Sequence, residues 1–368
     1  MKKKILCIIG TRPEVIKMAP IILLLQSQNW VDARIVATAQ HRELLDQMLE
    51  LFHIKQDIDL NIMEPDQTLP DLTIKLLTQL EKIFKTERPD AVIAQGDTNT
   101  TFAAALLSFY NQIPFYHVEA GLRSNDITNP FPEEMNRILT DRLSTLLFAP
   151  TEDSKKNLVA EGILAHSIFI TGNTVIDAMH YISQKNMKHN LELDPSKRII
   201  LVTAHRRESF GKPFLEICYS LRQLVNKAKD IQIIFPVHPN PHVSKIAHQQ
   251  LDGQERILLI PPLHYSAFIS LLNQAYLILT DSGGIQEEAP ALGKPVLVLR
   301  NKTERIEGVK AGVAKIVGVK SSEIVSQTLD LLEHRSKYDA MVKNKILYGD
   351  GEAASRIVDI IHRELSKT

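Results

Sequence analysis

The chain carries no excess of charge. Lys+Arg and Asp+Glu balance at 43 each in 368 residues. No net field therefore recruits nucleic acid or an anionic membrane surface. An anionic ligand has to be held by local placement of Arg, Lys and helix ends. Cysteine is nearly absent: Cys7 lies inside an apolar run and Cys218 in a predicted helix. Two cysteines so far apart point to buried thiols in a reducing compartment, not to a disulfide framework. No C-x-x-C pair marks zinc, and no metal is expected. No apolar run approaches the ~18 residues needed to span a bilayer. The opening MKKKILCIIGTRPE loses its apolar character at Gly10, and Arg12, Glu14 and Lys17 follow. That stretch is too short for the roughly 7–15-residue core of a signal peptide. These absences read as a cytoplasmic protein without a membrane partner. Two nucleotide signatures are missing as well: no G-x-G-x-x-G follows a strand, and there is no P-loop. The chain lacks the obvious apparatus for oxidation by bound NAD or for ATP chemistry, and no cofactor is expected.

What is present is material for two cores. At roughly 100–200 residues per domain, this length favours two domains. Short runs rich in Ile and Val fall at residues 5–9, 33–37, 91–94, 115–118, 146–149, 168–170, 199–203, 231–237, 257–260, 277–280 and 295–299. Helical patterns lie between most of them. Apolar strands alternating with helices predict parallel sheets covered on both faces. Eleven candidate strands are too many for one compact sheet, so the expected architecture is α/β with two Rossmann-like halves. The boundary falls within 171–195, giving a first domain over 1–171 and a second over 172–350. Residues 351–365 read as an amphipathic helix.

Ligands of open α/β sheets bind beyond the carboxyl ends of the strands. Polar clusters recur there: GTRPEVIK, TAQHRE, QGDTNTT, HVEAGLRS, TAHRRESFG, PVHPNP and TDSGGIQEE. Seven clusters at one edge predict a cleft between the halves. In TDSGGIQEE, a strand ends at Asp281, and Ser282, Gly283 and Gly284 open a helix. Glycines allow close backbone approach, and the N–H groups of a helix start attract an anion. Glu287 or Glu288, one turn in, is placed for ribose hydroxyls. A plain Ser/Gly helix cap is the competing reading. Arg12 and Lys17 follow the first strand, as phosphate ligands or as solvated helix-end charges. Three carboxylates stand out: Asp97, Glu119, and the Glu133–Glu134 pair in PFPEEMNR. Each has a structural alternative: a helix cap for Asp97, an ion pair with Arg123 for Glu119, a first-turn charge for Glu133. His205 ends its strand, and His117 lies within one as a core residue.

Taken in order, GTRPEVIKMAP, TAQHRELLDQ, GDTNTT, HVEAGLRS, PFPEEMNR, TGNTVIDA, TAHRRESFG, ILTDSGGIQEEAPALGKPVLVLR and YGDG resemble the non-hydrolysing UDP-N-acetylglucosamine 2-epimerases, from the first strand to the last helix. The resemblance implies a GT-B fold, two Rossmann-like domains facing a central cleft, and a homodimer. It also implies that the last helix, about 351–368, packs back on the first domain. The implied reaction interconverts UDP-GlcNAc and UDP-ManNAc through elimination of UDP to a 2-acetamidoglucal. Asp97, Glu119, Glu133 and His205 match the family's catalytic residues. Arg12, Lys17, Ser282, Gly283, Gly284 and Glu288 match its UDP-binding positions. A second, regulatory UDP-GlcNAc site maps onto Gln40, Arg207 and His238, with Glu133 as a further candidate. Here the chain departs: Asp66 stands where many members carry Arg, and Glu43 where many carry Gln. A carboxylate in place of a cation near a diphosphate predicts weakened substrate activation. Two other activities share parts of this pattern: an epimerase for a modified UDP-acetamido sugar, such as a diacetamido uronic acid, and a GT-B glycosyltransferase.

Overall fold

The computed structural model describes residues 2–38, 42–64, 67–185, 191–343 and 346–367. The chain forms two compact units. One comprises Met1–Tyr181 with Gly349–Thr368, the other Ile182–Tyr348.

The first unit is built on a seven-stranded sheet: β1 (Lys3–Ile9), β2 (Val31–Ala37), β3 (Ile58–Asp59), β4 (Ala91–Gln95), β5 (Phe115–Val118), β6 (Leu146–Ala149) and β7 (Ile168–Ile170). Their spatial order is β3-β2-β1-β4-β5-β6-β7, and every pairing is parallel. Residues 5–9 of β1 are fully buried although successive side chains face opposite ways. Helices on both faces explain why the strand reads as one unbroken apolar run. The helix Leu69–Glu87 shows how they attach. Leu72, Leu76, Leu80, Ile83 and Phe84 form one buried stripe. Thr68 and Asp71 close its first turn reciprocally, and Arg88 ends it in the left-handed conformation, φ 47°.

The second unit carries six parallel strands: β8 (Arg198–Thr203), β9 (Ile231–Pro236), β10 (Ile257–Ile260), β11 (Leu277–Thr280), β12 (Val296–Val298) and β13 (Ala314–Ile316). The order is β10-β9-β8-β11-β12-β13. Its core gathers Ile200, Val202, Phe214, Leu221, Phe235 and Leu279. Eleven of these thirteen strands overlap apolar runs of the sequence. The other two, β3 and β13, are edge strands of two and three residues, too short to carry a period. Both cysteines are free and buried, and burial pushes each thiol up to about 12.

The final helix, Ala353–Leu365, buries Ala353, Ala354, Ile357, Val358, Ile361 and Leu365 and belongs to the first unit. Ala354 N donates to Asp177 Oδ1 at 2.8 Å, Arg356 Nη1 to the Thr171 carbonyl at 3.0 Å. The His362 ring stacks on Trp30 at 4.4 Å. No helix among the described residues is long and apolar enough to cross a membrane.

Candidate active site

Each sheet has a point where neighbouring strands send their connections in opposite directions: β1 beside β4, and β8 beside β11. Backbone diverges there and leaves a crevice beyond the carboxyl ends. In the first unit the turn after β1 holds Gly10, Thr11 and Arg12; the turn after β4 holds Gly96 and Asp97. Glu14 joins the two. Its Oε2 accepts from Gly10 N and Thr11 N at 2.8 and 2.6 Å. Its Oε1 accepts from the Thr98 and Thr101 hydroxyls at 2.6 and 3.1 Å. Burial raises the Glu14 carboxyl, and these donors work against the rise. Gly10 is required by contact: a Cβ there would lie 2.7 Å from Thr100 Oγ1.

The three carboxylates singled out in the sequence all lie beyond this edge, in different circumstances. Asp97 is not the helix cap; Thr98 is. Asp97 Oδ2 instead meets Arg137 Nη2 at 2.7 Å and Nε at 3.0 Å. Glu119 does not pair with Arg123. It takes the Lys17 ammonium and Asn173 Nδ2, 2.8 Å away. Its backbone is left-handed at φ 68°, a strained state for a non-glycine and one that clusters at functional sites. Glu133 opens the helix Glu133–Leu143, and its Oε2 is buried without a hydrogen-bond partner. Glu134 is fully engaged: Oε1 accepts from Ser124 N and Asn125 N, Oε2 from Arg137 Nη1 at 2.8 Å.

Beneath them lies a buried polar cluster. His117 on β5 contacts Asp141 Oδ1 at 2.6 Å through Nδ1 and the Gly96 carbonyl at 2.8 Å through Nε2. Asp141 Oδ2 accepts from Arg123 Nη2 at 2.7 Å and Gly121 N at 3.2 Å. Burial alone would raise the Asp141 carboxyl, but His117 and then Arg123 outweigh it and hold it below the usual carboxylate range. The cluster ties the backbone before Asp97 and after Glu119 to the helix that carries Glu133.

In the second unit, His205 follows β8 and Asp281 follows β11. Asp281 Oδ2 accepts from His205 N and Arg206 N at 2.7 and 2.8 Å. A Cβ on Gly284 would meet nothing within 4 Å, while one on Gly283 would press on Glu304 and Arg305. Cations gather beside this turn. Arg300 and Arg305 lie 2.9 and 3.1 Å from the Glu304 carboxylate. Burial would raise Glu304, yet Arg305 and Arg300 bring it down to about 2. The two acids one turn in are distinguished: Glu287 is committed to Arg305 Nε at 2.8 Å, whereas Glu288 Oε1 accepts from Tyr265 OH at 3.1 Å.

Residues 24–362 match the family model described as UDP-N-acetylglucosamine 2-epimerase. A UDP-N-acetylglucosamine 2-epimerase of Escherichia coli K12 is 48% identical over 368 residues, 97% of this chain and 98% of that protein. The chain belongs to the UDP-N-acetylglucosamine 2-epimerase family. Two solved members superpose closely. One is the Neisseria meningitidis UDP-GlcNAc 2-epimerase bound to UDP-GlcNAc, with TM-score 0.91, 44% identity and coverage of 98% of this chain and 100% of that one. The other is a UDP co-structure of S. aureus MnaA, with TM-score 0.92, 45% identity and coverage of 99% and 97%. The fold is the α/β GT-B type, with two Rossmann-like parallel sheets.

Within this epimerase family fold, the chain's candidate residues fall into two sets. The first unit carries Arg12, Lys17, Asp97, Glu119 and Glu133, of which Lys17 and Glu119 meet; the second carries His205, Ser282, Gly283, Gly284 and Glu288. Of the regulatory candidates, His238 stacks on His205 with ring centroids 5.2 Å apart. Gln40 and Asp66 lie outside the described residues, as do the side chains of Glu43 and Arg207. Among the described residues, no group of three or more His, Cys, Asp or Glu is arranged to hold a metal. Sequence reasoning passed over Glu14, Arg137, Asp141, Asn173 and Asp281. Each stands in or beside a quoted motif, but its role lies in a partner distant along the chain.

Proposed function

We propose that this protein epimerises C2 of UDP-N-acetylglucosamine reversibly, giving UDP-N-acetylmannosamine, by elimination and re-addition of UDP. The C1–O bond breaks with its electron pair leaving on the diphosphate. A carboxylate takes the C2 proton, and the electrons of that C–H bond form the C1–C2 double bond of 2-acetamidoglucal. Return of a proton to the opposite face of C2, with UDP re-adding at C1, gives the epimer. Proton exchange on two faces calls for more than one acid/base group, and Asp97, Glu119 and Glu133 supply them. His205 assists at the leaving diphosphate, with Arg12 and Lys17. Ser282, Gly283, Gly284 and Glu288 hold the nucleotide. Donors aimed at the developing charge are each worth on the order of 3–4 kcal/mol.

The observation that carries this reading is the pairing of two acids with cations from other segments: Glu119 with Lys17, Asp97 with Arg137. Such pairs fix the direction in which each carboxylate points, which proton transfer requires. The relatives named as UDP-N-acetylglucosamine 2-epimerases support it. The family resemblance also carries a homodimer, which sedimentation would read as twice the chain's mass.

The test is incubation with UDP-GlcNAc in D2O without added metal, following C2 by NMR. UDP-ManNAc carrying deuterium at C2 is expected, and EDTA should leave the rate unchanged. Protiated substrate with acceptor-dependent UDP release would replace this reading with a glycosyltransferase. Inert UDP-GlcNAc with turnover of an acidic analogue would point to a modified sugar.

A further inference from the structure

Asp281 is only half used by the backbone it holds. Its side chain is fully buried. Oδ2 takes the two N–H groups of His205 and Arg206. Oδ1 is equally shielded from solvent and has no hydrogen-bond partner. It looks onto His205 Nδ1, 3.6 Å away. That separation is too long for a hydrogen bond, and a buried acceptor is seldom left unmade without a reason. Catalytic hydrogen bonds often shorten as the substrate and transition state are bound.

The His205 ring can complete this contact. It is 40% exposed, and one face is supported by His238, parallel within 10°. We propose that Asp281 is the positioning residue of His205: its free oxygen draws the Nδ1 proton inward and leaves Nε2 for the ligand. This rests on the role given to His205 above. A protonated ring so held donates from Nε2 to the departing diphosphate; a neutral one accepts there. In both states Nδ1–H stays on Asp281.

Three charged or titratable groups act on the ring: Asp281 from the turn after β11, His238 from beyond β9, and Arg206 beside it. Burial pushes the imidazole below its ordinary value; Asp281 opposes this, and His238 and Arg206 add to it. Without the Asp281 charge only the lowering influences remain.

Asp281→Asn is the informative variant. The two backbone donors demand oxygen at the Oδ2 position, so the amide nitrogen must occupy the Oδ1 position. It then presents N–H to Nδ1 and forces the ring proton to Nε2. Where an orienting Asp of a His–Asp pair becomes Asn with the geometry kept, kcat falls by about 10⁴.

We expect kcat for D281N to fall on the order of 10²–10⁴-fold, with the UDP Kd within about twofold and the His205 limb of the pH profile moved to lower pH. The double variant D281N/H205Q should be no slower than H205Q alone, because a residue acting through another adds nothing once that one is gone. In the wild type, ring ¹⁵N shifts should place the neutral His205 proton on Nδ1, a measurement that needs no variant to fold. A D281N enzyme within about threefold of wild type, losses that multiply in the double variant, or a wild-type proton on Nε2 would each overturn the assignment. An inactive wild type would sink the epimerase reading alone, and the wild-type ring nitrogens would still decide the Asp281–His205 pair.

Discussion

Glu133 and Glu134 are neighbours in sequence and opposites in circumstance. Glu134 satisfies two backbone donors and Arg137, while Glu133 keeps a buried oxygen without a partner. Glu133→Gln should therefore lower kcat at least 10²-fold, the usual range for losing a general acid or base, with little change in melting temperature. Glu134→Gln should do the reverse in part: it weakens a buried charge-assisted bond to Arg137 and destabilises by about 1–3 kcal/mol. Steady-state kinetics and calorimetry on both variants check the pair; equal effects in both would refute the distinction. Arg137→Lys should lower kcat as well, because Lys cannot hold Asp97 and Glu134 through separate nitrogens of one planar group. At this scale the sequence showed which residues were acidic and near a strand end, but not which oxygen was left unoccupied. That depends on Arg137, Lys17 and Asn173, which lie 40, 102 and 54 residues from their acids, and no local pattern reports such partners.

At the level of elements, the strand-to-helix turns carry most of the candidate residues. Most strands were legible because a parallel strand buried on both faces is an apolar run between polar ends. The short edges β3 and β13 were not, since pairing and not composition makes them strands. Glu14 was read as part of a motif, yet it fastens the turn after β1 to the turn after β4. Gly10→Ala presses a methyl group on Thr38 and Thr100 at that junction and should destabilise by about 1–3 kcal/mol, seen as a lower denaturant midpoint. In the second unit the Arg300–Glu304–Arg305 group sets an acid limit. The folded-state value of Glu304 is depressed to about 2 from 4.5. Its stabilising share is thus present above about pH 4.5 and lost as the pH falls toward 2. Melting temperature should drop across that window, and Glu304→Gln should flatten the drop; an unchanged acid limb would refute this.

For the molecule as a whole, the second unit is an insertion. The chain leaves the first unit after Tyr181 and re-enters it at Gly349. The last helix then closes the first unit with an apolar stripe that its sequence period already displayed. A chain ending at Tyr348 would uncover the helix Arg12–Gln26, against which the last helix packs. We expect it to melt at least several degrees lower or to aggregate, as a lost helix face exposes apolar area worth roughly 25 cal/mol per Å². Closure at Gly351 also depends on the missing side chain, since a Cβ there would strike the His180 ring.

The tryptophan stacked on His362 is the chain's single indole. Its emission is therefore an undiluted optical signal from one seam of the protein, where the last helix meets the residue just before β2. A fluorescence-monitored denaturation reads detachment of that seam, while circular dichroism reads loss of helix throughout, so that comparing the two curves times the release of the C-terminal segment without any added label.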